Sequence, residues 1–345
     1  MSTSTPSGVY PDPATTPGKH HILHEDRPVC ILGLGLIGGS IMRDVQARGR
    51  RVFGWDRTQS TVTKIIDDGF DASNDCSAVL ERAGEEDALV VIATPMSTVG
   101  TMLDHIAHHA PTCGITDVVS VKQAVIREVR ARGMQDRFVG GHPMSGTSHN
   151  GWDASQTGLF TGAPWVVTFD NAPTDDSDGG RWLREWMSVV NLAYDVGAEV
   201  IPARAQSHDA AVARISHLPH VLADALAVAG DKGGALALSL AAGSFRDGTR
   251  VAGSDPGLTE AMCENNVEEV LRAIEEVQTM LDEARASLRA TPPTVAELAD
   301  AGHRSRIRYE ARTGKRPVLR LHPGDAGWVD QLKQAENLGA RIEVF

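Results

Sequence analysis

The sequence predicts an α/β chain in which a doubly wound, mostly parallel sheet is followed by a mainly α-helical region. Three observations lead there. Short apolar runs (VCIL, RVFGW, ALVVIAT, TDVVS, RFVGG, PWVVTF and AEVIP) recur between Val29 and Pro202 and alternate with helical stretches, as expected of strands covered on both faces by crossover helices. Past Ala203 strand-like runs nearly disappear and helical patterns take over. The first run also leads directly into a glycine-rich turn that opens a helix.

With 345 residues the chain can build more than one core. The pattern divides it into a tail (1–27), a sheet domain (28–203), a helical domain (204–310) and a C-terminal extension (311–345). The tail is rich in Ser, Thr, Pro and His and lacks the apolar segment of a signal peptide, so it reads as disordered. His20, His21 and His24 have no thiol or carboxylate cluster beside them, and no metal site is expected.

The turn after VCIL is Gly33-Leu34-Gly35-Leu36-Ile37-Gly38, the G-x-G-x-x-G fingerprint of a Rossmann dinucleotide site. Gly33 permits the tight turn, Gly35 lets the backbone approach a pyrophosphate, and Gly38 lets the helix pack on the strand. Leu36 and Ile37 then contribute N–H groups at the helix start. The next strand ends in Asp56, about twenty residues on, where a carboxylate suits the ribose hydroxyls. Asp56 would repel a 2'-phosphate and favours NAD, while the adjacent Arg57 could pair with one and leaves NADP possible.

In the helical region, residues 206–229 read as one helix interrupted by Pro219, with a kink near 215–219. Residues 255–290 read as another, with Ser254 or Asp255 as cap and Pro256 in the first turn. Val267, Val270, Leu271, Ile274, Val277 and Leu281 form its apolar stripe. Such a stripe can pack within one chain or against a second subunit. The extension (VLRL, WVDQLKQAENLG, RIEVF) reads as strand-helix-strand.

A net charge of -12 opposes nucleic acid or an anionic membrane as a partner. An anionic ligand would then need cations gathered locally, which draws attention to Arg246 and Arg250. Cys30, Cys76, Cys113 and Cys263 form no C-x-x-C pair, which fits a reducing cytoplasm.

Four segments carry candidate chemistry on loops after strands or in the helical region. They are Ser120-Val121-Lys122, Gly141-His142-Pro143-Met144-Ser145-Gly146, His208-Asp209 with Ser216-His217-Leu218-Pro219-His220, and Phe245-Arg246-Asp247-Gly248-Thr249-Arg250. Each also has a plain structural reading: His142 as a capped loop residue, the histidines near 217 as packed helix positions. H-x-x-H suggests zinc, but no ligand cluster accompanies it and Pro219 interrupts it.

In combination and in order, these segments resemble the prephenate and arogenate dehydrogenases of tyrosine biosynthesis, over roughly 29–288. The shared pattern runs from the fingerprint through Ala93-Thr94-Pro95, S-V-K, G-G-H-P-M-x-G, G-A-P-W, H-D and S-H-L-P-H to F-R-D-x-T-R. The resemblance implies a cytoplasmic homodimer formed through the helical domain, and Thr94 and Pro95 near the cofactor. It makes His142 the acceptor of the proton from the substrate's ring hydroxyl, oriented by Ser120. Arg250 would hold the ring carboxylate, with Arg246 in the same segment. His208, Ser216 and His220 would line the pocket, and Asp247 would join a supporting ionic network. Ser148 stands where some relatives have an acidic residue, which bears on prephenate against arogenate, and Thr259 stands where some have tryptophan.

The chemistry is coherent without the name. A histidine of ordinary pKa, about 6.5, can take a hydroxyl proton near neutral pH. Loss of that proton together with a hydride from the hydroxyl-bearing carbon, taken by the nicotinamide, gives a dienone that is a vinylogous β-keto acid, so the ring itself receives the electrons released with carbon dioxide. A β-hydroxyacid dehydrogenase would use a lysine on the first long helix, and 181–231 contains none. A non-catalytic dinucleotide sensor would not need Ser120, His142 and Arg250 together.

Overall fold

The structure, a computed structural model, describes residues 27–147, 149–172, 180–312 and 314–345. The tail histidines, Ser148 and most of the polar loop at 171–180 lie outside the described residues. Arg27, assigned from sequence to the tail, belongs to the fold: it is buried and pairs with the buried Glu185.

Six parallel strands form the first sheet in the order β3-β2-β1-β4-β5-β6. They are β1 (Val29–Leu32), β2 (Val52–Trp55), β3 (Ala72–Ser73), β4 (Leu89–Ile92), β5 (Ile115–Asp117) and β6 (Phe138–Val139). Helices α1 (Leu36–Ala47), α2 (Gln59–Asp67), α3 (Cys76–Glu85), α4 (Met96–His109) and α5 (Gln123–Ala131) make the crossovers. The strand order reverses between β1 and β4, so the ends of these strands open a crevice where ligands of such sheets bind. The central strands β1 and β4 are apolar throughout and wholly buried.

The last two strand-like runs do not extend this sheet as their apolar pattern suggested. After β6 the chain turns at Gly140 into β7 (Gly141–Pro143), which pairs antiparallel with β8 (Pro164–Thr168), and β8 pairs parallel with β9 (Glu199–Ala203). Thr168 Oγ1 accepts the Gly140 N–H at 2.9 Å and fixes the turn. Helix α6 (Gly180–Asp195) buries Trp182 and Trp186 against this region.

The helical region holds α7 (Ala205–Val212), α8 (Leu218–Lys232), α9 (Gly234–Ser239), α10 (Gly243–Thr249), α11 (Pro256–Glu264), α12 (Val267–Arg289) and α13 (Ala296–Arg312). The expected kink is a π turn, Ala213–His217, between α7 and α8. Widening the helix there relieves the clash that Pro219 would make with the carbonyl of residue 215. The helix expected over 255–290 is broken in two by the buried Asn266. Asp255 caps the first half, accepting the Gly257 N–H at 2.8 Å, and Pro256 occupies the first turn. Helix α13 was not expected from the sequence, because it has no apolar stripe, and it buries no residue.

The extension forms β10 (Val318–Leu321), α14 (Trp328–Leu338) and β11 (Arg341–Val344), with the two strands parallel. It is not a separate body. Trp328 meets Trp186 with ring centroids 5.4 Å apart, and Tyr194 Oη donates to the Ile342 carbonyl at 2.9 Å.

Candidate active site

Gly33 follows β1 with φ +100, and its N–H donates to the Trp55 carbonyl at 2.8 Å. An added Cβ would meet the Ala93 carbonyl oxygen at 2.8 Å, and one at Gly38 would meet the Gly33 carbonyl oxygen at 2.0 Å, so both positions require glycine. At Gly35 nothing lies within 4 Å of such an atom. Open space therefore faces the start of α1, whose first N–H groups, at Leu36 and Ile37, have no side-chain cap. Asp56 lies beside the turn, its Oδ2 accepting the Leu34 N–H at 3.3 Å, and Arg57 beside it is exposed.

Thr94 closes the other side, with a methyl group 2.9 Å from the position a Gly33 Cβ would take, and Pro95 begins α4. Thr94 Oγ1 is buried without a hydrogen-bond partner among the described residues. A buried hydroxyl ordinarily finds a partner. An uncapped helix start, a glycine approach, a carboxylate at the end of β2 and this hydroxyl fit a dinucleotide.

His142 is the middle residue of β7 and is partly buried. Its Nδ1 lies 2.8 Å from His208 Nε2, and His208 Nδ1 lies 2.7 Å from Asp209 Oδ1. Asp209 is in turn held by the backbone N–H groups of Lys122 and Gln123, each at 2.8 Å. Burial raises the pKa of the Asp209 carboxyl, but the His208 contact and these two N–H groups outweigh it and hold it below the usual range. An ionised Asp209 takes Nδ1–H from His208. That leaves His208 Nε2 to accept from His142 Nδ1–H, and His142 Nε2 keeps a lone pair for a substrate. His208 thus holds the His142 ring at Nδ1, and Ser120 sits half-buried in the turn between β5 and α5.

Withdrawal from water pushes the His142 pKa well below the ordinary histidine value, helped by His208, Lys122 and His217. The expected value near 6.5 is therefore corrected downward. His217 is lowered to about 4, chiefly by burial. Its Nδ1 lies 3.3 Å from Asn266 Nδ2, which also donates to the Asp209 carbonyl at 2.9 Å. Asn266 carried no sequence signal, since an Asn-Asn pair at a helix break has many uses. His220 Nδ1 donates to the Ser216 carbonyl at 2.8 Å, which ties these two expected pocket residues across the junction of the π turn and α8.

The loop after His142 straps onto α1: Gln156 N–H donates to Ser40 Oγ at 3.0 Å and Gly158 N–H to Asp44 Oδ1 at 2.7 Å. The loop that follows β7 is in this way joined to α1.

The arginine segment is placed differently. Arg250 is exposed at the start of the 3-10 turn Arg250–Gly253, and no hydrogen bond or ion pair among the described residues joins it to His142. Arg246 and Asp247, 81% and 76% exposed, pair with each other at 3.4 Å. Such a pair contributes little to stability. No group of three or more potential metal ligands occurs among the described residues, and no described helix is long and apolar enough to cross a membrane.

Residues 41–201 match the family domain described as prephenate dehydrogenase, nucleotide-binding domain, and residues 204–297 its dimerization domain. A prephenate dehydrogenase of Bacillus subtilis is 31% identical over 74% of this chain and 69% of its own length. A prephenate dehydrogenase candidate from Corynebacterium glutamicum is 57% identical in its crystal structure, with a TM-score of 0.89 over 92% of this chain and 99% of that one. The A. aeolicus prephenate dehydrogenase, crystallised with hydroxyphenyl propionate and NAD+, is 25% identical, with a TM-score of 0.71 over 82% of this chain and 98% of that one. With both family domains matched in sequence order and relatives aligned across most of its length, the chain belongs to the prephenate dehydrogenase family of NAD-dependent oxidoreductases.

Proposed function

We propose that this chain oxidises prephenate to 4-hydroxyphenylpyruvate with loss of carbon dioxide, and that His142 is its base. The observation that carries this reading is the chain Asp209–His208–His142, which leaves His142 Nε2 with a lone pair and no hydrogen-bond partner among the described residues. Arogenate is the second substrate to consider, because the position that would distinguish its ammonium group is the neutral Ser148.

NAD, when bound, supplies the hydride acceptor. Gly33, Gly35, Leu36, Ile37 and Gly38 would hold its phosphates, Asp56 its ribose, and Thr94 and Pro95 the inner end; Arg57 leaves NADP open. His142 Nε2 takes the proton of the ring hydroxyl, and Asp209, through His208, stabilises the imidazolium that results. Ser120 helps to orient His142. Arg250 holds the carboxylate, with Arg246 adding charge and Asp247 restraining it. Ser216, His208 and His220 shape the pocket.

We further propose a homodimer built on the helical region, with the region boundary at 203/204. Leu236, Leu240, Leu258, Leu271 and Leu281 are each more than half exposed, apolar side chains that a second copy would cover. The cytoplasm is the proposed compartment, given four free cysteines. NAD and NADP reduction measured in parallel with prephenate and arogenate tests the assignment. The expected result is fastest turnover with prephenate and NAD, and no reduction with either substrate would reject it.

A further inference from the structure

Next to His142 the proposed mechanism leaves a buried ion pair unused. Lys122 is 1% exposed, a rare place for an ammonium group. Its Nζ donates to the fully buried Asp117 and, at 2.6 Å, to the Gly141 carbonyl. Asp117 accepts the Gly141 N–H at 3.3 Å and the Val119 N–H at 3.0 Å. Gly141 is thereby gripped on its N–H side by the carboxylate and on its carbonyl side by the ammonium, and the next residue is His142. The backbone N–H of Lys122 reaches Asp209, so one lysine is tied to both ends of the histidine chain.

The place in the fold is specific. Here the chain leaves the first sheet for β7, and a Cβ at residue 141 would lie 2.7 Å from the Asp117 carbonyl oxygen. Burying an ion pair costs several kcal/mol per ion, and well-packed apolar residues often serve stability as well or better. Stability alone is therefore a poor reason for this pair.

We propose that Lys122 is a positioning residue for the base: clasped with Asp117, it fixes the Gly141 peptide from both sides and sets a positive charge behind the His142 imidazole. This rests on the reading of His142 as base. The groups facing that ring are His208 from α7, His217 from the π turn and Lys122 from the turn before α5. Asp209 stands behind His208 and Asp117 behind Lys122. Burial lowers the pKa of both facing histidines, which favours their neutral forms; it also lowers that of Lys122 and raises that of Asp117, but the direct contact between those two opposes both shifts and favours the charged pair, which makes Lys122 the cation among the three. A cation there disfavours a second positive charge and keeps the base unprotonated.

The test compares Lys122→Gln, which keeps N–H donors for Asp117 and Gly141 but no charge, with Lys122→Met, which loses both. The His142 ring is titrated by NMR of labelled histidine, its signal assigned by its loss in His142→Asn, and the acid limb of kcat/KM is measured in parallel. Both variants are expected to move the ring titration up by about one pH unit, with the limb following, NAD binding unchanged and kcat lower in Met than in Gln. A ring titration that stays in place in a folded variant overturns the proposal. So does failure of both variants to fold, since the ammonium would then serve the fold. A moved titration with an unmoved rate limb leaves the positioning role intact and instead rejects His142 as base.

Discussion

Strands β1 and β4 bury every residue they contain, whereas helices α9, α10 and α13 bury none. The sheet region closes its core with its own helices and the C-terminal extension, and the helical region leaves leucines of α9, α11 and α12 in contact with water. The site divides along the same line. His142, His208 and Asp209 are locked together inside one chain, while Arg250 stands exposed on the helical side. On the proposed assignment the proton-accepting side of the site is held by the fold, and the carboxylate-binding side is an exposed surface.

The sharpest way to break this comparison is at its preorganised side. His142→Asn keeps a polar side chain but cannot take up the proton, so turnover should fall by about 10² to 10⁴ while NAD titration is unchanged. Near-normal turnover would deprive the histidine chain of its chemical role. On the other side, Leu271→Glu with Leu281→Glu should convert a dimer to monomers in sedimentation experiments, since full burial of a leucine contributes about 1.5–3 kcal/mol. A native protein that sediments as a monomer at micromolar concentration would contradict the interface.

Smaller effects sharpen the contrast. Arg250→Ala should lose about 1.5–3 kcal/mol of substrate interaction, seen mainly as a raised KM with NAD affinity intact. An unaltered KM would remove Arg250 from the site. Asp56→Ser should shift cofactor preference toward NADP by about 0.5–1.5 kcal/mol, aided by Arg57. Faster native turnover with NADP than with NAD would reverse the assignment of Asp56.

The parts legible in the sequence were those where one residue type has one physical use. The glycines at 33 and 38 are such cases, as are the cap and proline at 255–256 and the clash at Pro219 that became a π turn. The split between the two sheets was hidden, because β8 and β9 are as apolar as the strands of the first sheet and only pairing distinguishes them. In the site, the motifs marked His142 and His208 but not their order along a hydrogen-bonded chain. Asn266 was hidden for a related reason, since its partners lie far away in sequence, as when it reaches the Asp209 carbonyl; Asp117, whose partner Lys122 is five residues on, was hidden as the polar end of a buried strand.

The central claim is that His142 accepts the proton and is held neutral by its surroundings. The neutral ring is the active form, and burial favours that form. Protonation, and with it the loss of rate, should therefore occur at lower pH than for a free histidine. The decisive measurement is kcat/KM for prephenate against pH at saturating NAD, in the native protein and in His142→Asn. The account predicts a native acid limb below about 6.5, and its disappearance in the variant. The same limb in both proteins, or a native limb above that value, would contradict it.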